Sequence, residues 1–524
     1  MKIKERKQQK EFIFNNKYVK NKTSLNDKIL KFILVSKYKL NKKLKIFDGE
    51  KNKGLYEMLD CFYNDEKENF KNRDNIKQFE NIDLKLEKII IYDLLPKEYL
   101  NIYLKKYIKF KNLFSKESPF YRMEKDIREA FTKMSNSRVE GCLFNLDYFW
   151  IKENTSLSEN FNKLRLEAIG LTQSLYILKY EISINDFANE ELKKILYSNV
   201  YKEPEFISNG KWYLKNSFAG IKTFDINNEA KNCAIEDYIL ELKSIFFNEI
   251  RRRLISKFFN WKEIIPSIEI YSSSTLKEKE KEIISILYPH GFRNVEISKE
   301  KKTYFVYSNS LEDKKIVNSS KIIVDSKELE NDGHGFYKFQ KIEEILTKYL
   351  ADYFLLDGLE YKISKIIYSS QLKINKNIYY KSRFNSLLNI KLKVERDLYF
   401  YKRLYKEIAI KMENKKNNKY VFNEYKKIFE SYFNHKDPNL NDPFSFEYEY
   451  DGVYYKIKEK NDLINTIYSH FDENSRMIES LYNYKIVKWT LIIAALTLLA
   501  TIFLANNSEI LNQIIEFVEK CFKR

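Results

Sequence analysis

Residues Trp489–Ser508 have the sequence WTLIIAALTLLATIFLANNS, a run of 20 residues without a charged side chain. An α-helix rises about 1.5 Å per residue, so this run is about as long as the hydrocarbon core of a bilayer is thick. The sequence therefore predicts a transmembrane helix over 489–508. The last residues, 509–524, alternate apolar and charged positions, and Glu516 and Glu519 would be buried in lipid if they crossed. We expect an amphipathic tail there that lies in the membrane interface.

The charges beside this run predict its orientation. Lys485 and Lys488 precede the run, whereas Glu509 is the first charge after it. The positive-inside rule then places the N-terminal side in the cytosol. Residues 1–12 are charged without an apolar core, so no signal peptide is expected to export that side. We expect a single-pass protein of the cytoplasmic (inner) membrane, with its N-terminal domain cytosolic and membrane lipid as a partner.

The composition indicates a folded body with several cores. Of the 524 residues, 44% are hydrophobic and 16% aromatic, which predicts roughly two to four domains. The net charge of +19 comes mainly from lysines spread along the chain, and an anionic lipid surface suits it as well as a nucleic acid does. We disfavour a nucleic acid as partner. The four cysteines form no CxxC pair, so no zinc site or disulfide framework follows.

The fold class predicted is α+β: an α/β-type cytosolic domain, a long-helix stalk and the C-terminal transmembrane helix. Residues 1–83 form a basic, mostly helical region, and 84–337 form the α/β domain, which we assign as a sensor. Strand-like runs in that domain are interspersed with helical ones. They lie at Leu86–Leu95, Cys142–Trp150, Leu164–Ile169, Leu175–Ile184, Ile264–Tyr271, Thr303–Tyr307 and Ile322–Val324.

The stalk is predicted over 338–488. Apolar residues recur at steps of three and four, which is typical of long helices. Within the stalk, residues 444–457 alternate around Asp451-Gly452, a pair typical of two-residue hairpin turns. The sequence therefore predicts a β-hairpin over 444–457. A hairpin that covers a helix pair is favoured over a strand that recognises a partner.

The last part of the stalk has a coiled-coil pattern that leads directly into the membrane run. Its apolar positions predict an oligomer seam, in which Asn474 would set register and oligomer state. Packing of the same stripe on the protein's own helices is the alternative. The seam consists of Ile464, Ile467, Phe471, Asn474, Ile478 and Leu481.

Small and hydroxyl residues share one face of the predicted transmembrane helix. Such a stripe lets helices pack closely, which is the favoured interpretation, or it lines a narrow pore. The pore or packing candidates are Thr490, Thr497, Thr501, Asn506 and Asn507, with Ala494 and Ala505 on the same face.

No enzyme motif is present in the sequence. There is no phosphate-binding GxxxxGK[ST], no GxGxxG, no HExxH and no GxSxG. The loop Asp332-Gly333-His334-Gly335 is interpreted as a turn with a cap in preference to a metal site. We predict no catalytic residues, no metal ligands and no enzymatic activity, and the ligand-binding residues are not identified.

The architecture over about 340–524, with Asn483, Lys485, Lys488 and Thr490 before the span, resembles the CorA-like divalent-cation channel superfamily. The resemblance implies a homo-oligomer, pentameric in that family, with a cytosolic sensor on a stalk formed by the pore helix. The family follows its first span with a Gly-Met-Asn filter and a second span, and here Asn506 and Asn507 stand at the filter position. With this departure from the filter motif, the chain is more similar to the divergent CorA-like branch whose members are membrane effectors in type III CRISPR defence. Their ligand is a nucleotide second messenger, a conjugate of S-adenosylmethionine and AMP.

These observations lead to two hypotheses. In the first, the protein is an oligomeric membrane effector or channel that is gated by a ligand. The resemblance implies that this ligand is the conjugate of S-adenosylmethionine and AMP or a divalent cation. In the second, the C-terminal helix merely tethers a cytosolic binding or nucleic-acid-interacting protein to the membrane. The hydroxyl face discriminates between them, because a tether needs only hydrophobicity.

Overall fold

A computed structural model describes the chain over 81–111, 123–136, 142–153, 155–198, 205–208, 218–222, 229–254, 266–288, 294–307, 319–330, 339–356, 420–432 and 446–506, with some isolated positions. The predicted N-terminal helical region up to residue 80, apart from Ser36, and most of the predicted stalk before 420 lie outside these residues. The chain divides into two compact units. One unit comprises Met1–Tyr361 and Glu407–Tyr455, and the other Lys362–Lys406 and Lys456–Arg524.

A nine-stranded mixed sheet forms the core of the first unit. Its strands are β1 (Lys85–Pro96), β2 (Leu143–Trp150), β3 (Phe161–Gly170), β4 (Leu175–Ile184), β7 (Ser267–Ser273), β8 (Val295–Ser298), β9 (Thr303–Val306), β10 (Ser319–Asp325) and β11 (Phe429–Ser431). Strands β5 (Glu205–Ser208) and β6 (Phe218–Lys222) form a separate pair. The order is β11-β8-β9-β10-β7-β1-β4-β3-β2. Strands β10 and β7 are parallel, and the other neighbours are antiparallel.

Each of the predicted strand-like runs falls on a strand of this sheet, and the α+β class is confirmed. Most of the runs could be recognised because they are rich in the β-branched and aromatic residues that are typical of strands. In β1, eight consecutive positions from Ile89 to Pro96 are buried.

Helices cover both faces of the sheet. The first five are α1 (Leu100–Phe110), α2 (Glu124–Asn136), α3 (Asp186–Tyr197), α4 (Glu229–Arg253) and α5 (Glu280–Leu287). On one face, the hydroxyl groups of Tyr103 in α1 and Tyr180 in β4 are 2.9 Å apart, and Phe246 of α4 packs edge-on against Tyr180. On the other face, Lys88 of β1 pairs with Glu343. Glu343 belongs to α6 (Gln340–Glu344), which continues into a π-helical turn, Ile345–Tyr349.

Two further helices follow, α7 (Tyr420–Ile428) and α8 (Phe446–Asn506). Helix α8 has 61 residues and includes Asp451-Gly452, so the predicted β-hairpin over 444–457 is wrong. The alternation was a local signal, and helix formation is cooperative: a turn that extends an existing long helix avoids the nucleation cost. Glycine in a helix interior costs about 1 kcal/mol relative to alanine. Burial of Tyr450, which is 2% exposed and stacks on Tyr353, offsets that cost.

Candidate functional site

One segment of α8 is long and apolar enough to cross a membrane. It comprises the 19 residues Asn483–Thr501, and none of it is buried within the structure. Its large side chains are exposed: Trp489 by 63%, Leu491 by 65% and Leu498 by 63%. A contiguous apolar surface of this kind marks a site of contact with a membrane or a protein.

The threonines of the predicted hydroxyl face donate hydrogen bonds to their own helix. The Oγ1 of Thr490 donates to the carbonyl of Ile486 at 2.9 Å. The hydroxyls of Thr497 and Thr501 do the same to the residues four positions earlier, both at 2.8 Å. Each hydroxyl proton is therefore satisfied without a partner helix or water, while the oxygen can still accept a hydrogen bond. This geometry is compatible with lipid, with packing and with a pore.

The other predicted residues of α8 are located only in part. Ile464, Ile467, Phe471, Asn474, Ile478 and Leu481 lie on the helix, but their side chains are outside the described part of the structure. The same holds for the side chain of Asn506, and Asn507 is not described at all. Between Lys458 and Asn483, the described side chains are exposed and, apart from Leu463, polar. The oligomer seam remains a prediction.

A chain of alternating charges lies on the face of the sheet that carries Lys88. Strands β3 and β4 place Arg165 opposite Glu181 and Glu167 opposite Lys179. Lys88 on β1 contacts Glu181, and Glu343 on α6 contacts Lys88 and is the last residue of the series. We call these six residues the ion ladder: Arg165, Glu167, Lys179, Glu181, Lys88 and Glu343.

Every member of the ion ladder contacts a residue of opposite charge. The Nζ of Lys88 is 2.9 Å from Glu181 Oε1 and 2.5 Å from Glu343 Oε1. The Nζ of Lys179 is 3.1 Å from Glu167 Oε2 and 3.3 Å from Glu181 Oε2. With three cations and three anions, the ladder is neutral as a whole. Such pairing is what allows charges to remain ionised when they are buried.

The local environment moves the pKa values of Glu181 and Lys88 toward their charged forms. Burial alone would raise the pKa of Glu181, but Lys88, Lys179 and Arg165 outweigh burial and hold it below its ordinary value. Burial alone would lower the pKa of Lys88, but Glu181 and Glu343 outweigh it, and the pKa is raised. The contact between Lys88 and Glu343 attaches α6 to the sheet.

Acid is expected to weaken the ladder. Because the pKa of Glu181 is lower in the folded state than its ordinary value of 4.5, its stabilising contribution is present above that pH and is lost as the pH falls through the folded pKa. We expect Glu181→Gln to be less stable than wild type at pH 7 but to lose less stability between about pH 5 and pH 3. Thermal unfolding across that range measures this. The exposed Glu190→Gln should follow the wild-type curve, and a Glu181→Gln curve parallel to it would contradict the assignment.

Sequence reasoning did not find the ladder. A signal was present, because opposite charges stand two residues apart in two successive strand-like runs, Arg165 with Glu167 and Lys179 with Glu181. Charges at this spacing share one face of a strand. Whether they meet depends on the register and on α6, which the sequence does not show.

A second buried ionic cluster lies on the opposite face, beneath α4. The Nζ of Lys243 is 2.5 Å from Glu269 Oε1, and the Tyr271 hydroxyl donates to Glu269 Oε2 at 2.8 Å. Lys321 pairs with Glu236 beside them. Burial alone would raise the pKa of Glu269, but Lys243 and Lys321 outweigh burial and lower it. The side chains of Lys243 and Glu269 are at most 1% exposed, so this pair supports the core and offers no surface to a ligand.

Among the residues that the structure describes, no group of three or more His, Cys, Asp or Glu side chains is arranged to hold a metal ion. The Asp332–Gly335 loop lies outside those residues, and the absence of metal ligands and of catalytic residues remains a prediction.

No protein-family model, curated protein or solved structure matches this chain.

Proposed function

We propose that this protein is an oligomeric membrane effector in which α8 joins a cytosolic α+β sensing domain to a membrane-embedded segment. The observation that supports the proposal is the continuity of α8. Its first turn includes Tyr450, which is buried in the unit that contains the sheet, and the same helix contains the exposed apolar segment Asn483–Thr501. In this proposal, a change at the N-terminal end of α8 acts on the apolar segment of the same helix.

The ligand of the sensing domain is proposed from the CorA-like resemblance alone. It is a nucleotide second messenger, such as the conjugate of S-adenosylmethionine and AMP, or a divalent cation. Binding would change the α8 oligomer and open or disrupt the bilayer, which would serve antiviral defence. The proposed oligomer forms through the seam of α8, with five copies as in that family.

The second candidate function is a plain tether, which the hydrogen bonds of the threonines allow. Because the hydroxyls of Thr490, Thr497 and Thr501 are satisfied within the helix, α8 needs neither a pore nor a partner to lie in lipid. The protein would then be a cytosolic binding or nucleic-acid-interacting domain held at the membrane.

Leucine at Thr497 and Thr501 separates these functions. If the threonines line a pore, Thr497→Leu with Thr501→Leu should keep the oligomer but abolish dye release from liposomes. The substitution removes the hydroxyl oxygens that could replace water around a permeating solute. At a packing face, the larger side chains should reduce the oligomer instead. Light scattering measures the oligomer in a detergent preparation. Dye release is measured after the same preparation is reconstituted into liposomes, with Mg²⁺ or the S-adenosylmethionine–AMP conjugate added.

The matched control is Ile492→Leu with Leu499→Ile, which changes shape on the opposite face of the helix and keeps hydrophobicity. It should behave like wild type in both measurements. A wild-type monomer that releases no dye with either compound would contradict the effector and support the tether. Normal assembly and normal release in the threonine variant would exclude both roles for the hydroxyl face.

A further inference from the structure

Residues 340–356, which we call the coupling segment, contact the central strand β1 at two points besides the ladder pair Lys88–Glu343. The Tyr92 hydroxyl donates to the carbonyl oxygen of Thr347 at 2.6 Å. The ring of Phe354 stacks on the ring of Tyr92, with centroids 5.7 Å apart and planes inclined by 7°. The coupling segment is thus attached to β1 by a charge, a hydrogen bond and a ring contact.

The same segment contacts the first turn of α8. Tyr353 stacks on Tyr450, with centroids 5.8 Å apart and planes inclined by 18°. The Tyr450 hydroxyl lies 3.5 Å from Asp352 Oδ2. Tyr353 also meets its neighbour Phe354 edge-on at 5.3 Å. Four rings, those of Tyr92, Phe354, Tyr353 and Tyr450, therefore contact one another in sequence from the sheet to α8.

The coupling segment is irregular between these two attachments. Ile345–Tyr349 form a π-helical turn, a conformation that is rare and concentrated at functional positions. Thr347 is fully buried, and its Oγ1 has no hydrogen-bond partner among the described residues. A buried hydroxyl without a partner costs free energy. The contacts of the coupling segment with β1 and α8 are available to offset that cost.

We propose that the coupling segment links the ion ladder to the first turn of α8, so that loss of the Lys88–Glu343 pair loosens Tyr450. Glu343 is the end that responds to the charges of the ladder, and Tyr353 is the end that holds α8. The coupling is a property of the sheet-containing unit. It rests on the proposed function only for what α8 then does in the membrane.

Two neighbouring glutamates provide the test. Glu343→Gln weakens the pair with Lys88. Glu344→Gln, at the next residue, instead removes a surface pair with Lys348. Hydrogen exchange is measured by mass spectrometry on the full-length protein in detergent. We expect amides of 446–456 to exchange about tenfold faster in Glu343→Gln and at the wild-type rate in Glu344→Gln. Faster exchange confined to 340–349 would overturn the proposal.

The reverse experiment covers the case in which Glu343→Gln unfolds the whole unit, which would also speed exchange in β4. Coupling between two sites is reciprocal. Tyr450→Leu should therefore speed exchange in 340–349 several-fold, while β4 stays protected. Unchanged exchange in 340–349 would overturn the proposal by itself. Neither result depends on membrane insertion or dye release, so a failure here is distinguishable from a failure of the proposed function.

Discussion

Lysine at both Leu496 and Leu498 is expected to release the full-length protein from membranes. A lysine near the centre of a transmembrane helix costs about 2.5–3.5 kcal/mol on insertion scales, so the pair costs about 5–7 kcal/mol. The two positions are separated by about 200° around the helix, so a single pore or packing face cannot shelter both. The two leucines are 60% and 63% exposed, so neither packs within the protein. We expect the fraction of protein in carbonate-resistant membranes to fall from nearly all to a trace.

The control is alanine at the same two positions. Leu496→Ala with Leu498→Ala removes apolar surface but introduces no charge, so the protein should remain in the membrane pellet. If the double-lysine variant also remained there, Asn483–Thr501 would not be the anchor, and the proposed function would fail with it.

Loss of the buried Lys243–Glu269 pair through Lys243→Met is expected to destabilise the sheet strongly, and more than Glu181→Gln does. Lys243→Met leaves Glu269 without its nearest cation in a site where both side chains are at most 1% exposed. Breaking a buried pair from one side typically costs about 3–5 kcal/mol. With a urea dependence of about 3 kcal/mol per molar, the midpoint should fall by about 1–2 M. Pulse proteolysis of the full-length protein across a urea series measures this midpoint.

Two further variants test the cause of that loss. Lys133→Met breaks an exposed pair with Glu129 and should leave the urea midpoint close to that of wild type, because the side chains of Lys133 and Glu129 are 70% and 59% exposed. Lys243→Met with Glu269→Gln removes both charges, while the amide can still accept from Tyr271. It should recover much of the loss. A double variant no more stable than Lys243→Met would show that lost packing, not an unpaired charge, is responsible.

Seven of the nine strands of the main sheet, all except β8 and β11, could be predicted because their determinants are local. In runs such as Leu175–Ile184, one face is apolar throughout, the other carries Lys179, Glu181 and Ser183 beside apolar residues, and polar residues bound the run. The apolar segment of α8 is equally local, because its length and lack of charge are properties of consecutive residues.

The predicted hairpin over 444–457 is wrong for the opposite reason. Its alternation and Asp451-Gly452 turn are consistent signals over 14 residues, but the conformation of that stretch is decided by its neighbours. Tyr450 is buried against Tyr353, about 100 positions earlier in the chain, and the helix continues to Asn506. Tertiary burial and helix cooperativity together outweighed a local turn preference.

The amino-acid sequence by itself determined the α+β class, the positions of seven of the nine strands of the main sheet and the apolar segment near the C-terminus, because each follows from the hydrophobicity and spacing of adjacent residues. Only the tertiary structure decided which charges meet. Lys88, Glu181 and Glu343 come from three separate stretches of the chain, and Tyr92 and Tyr450 are joined through Phe354 and Tyr353. Such contacts depend on strand register and on where a distant helix packs, and neither is encoded within any short stretch of sequence.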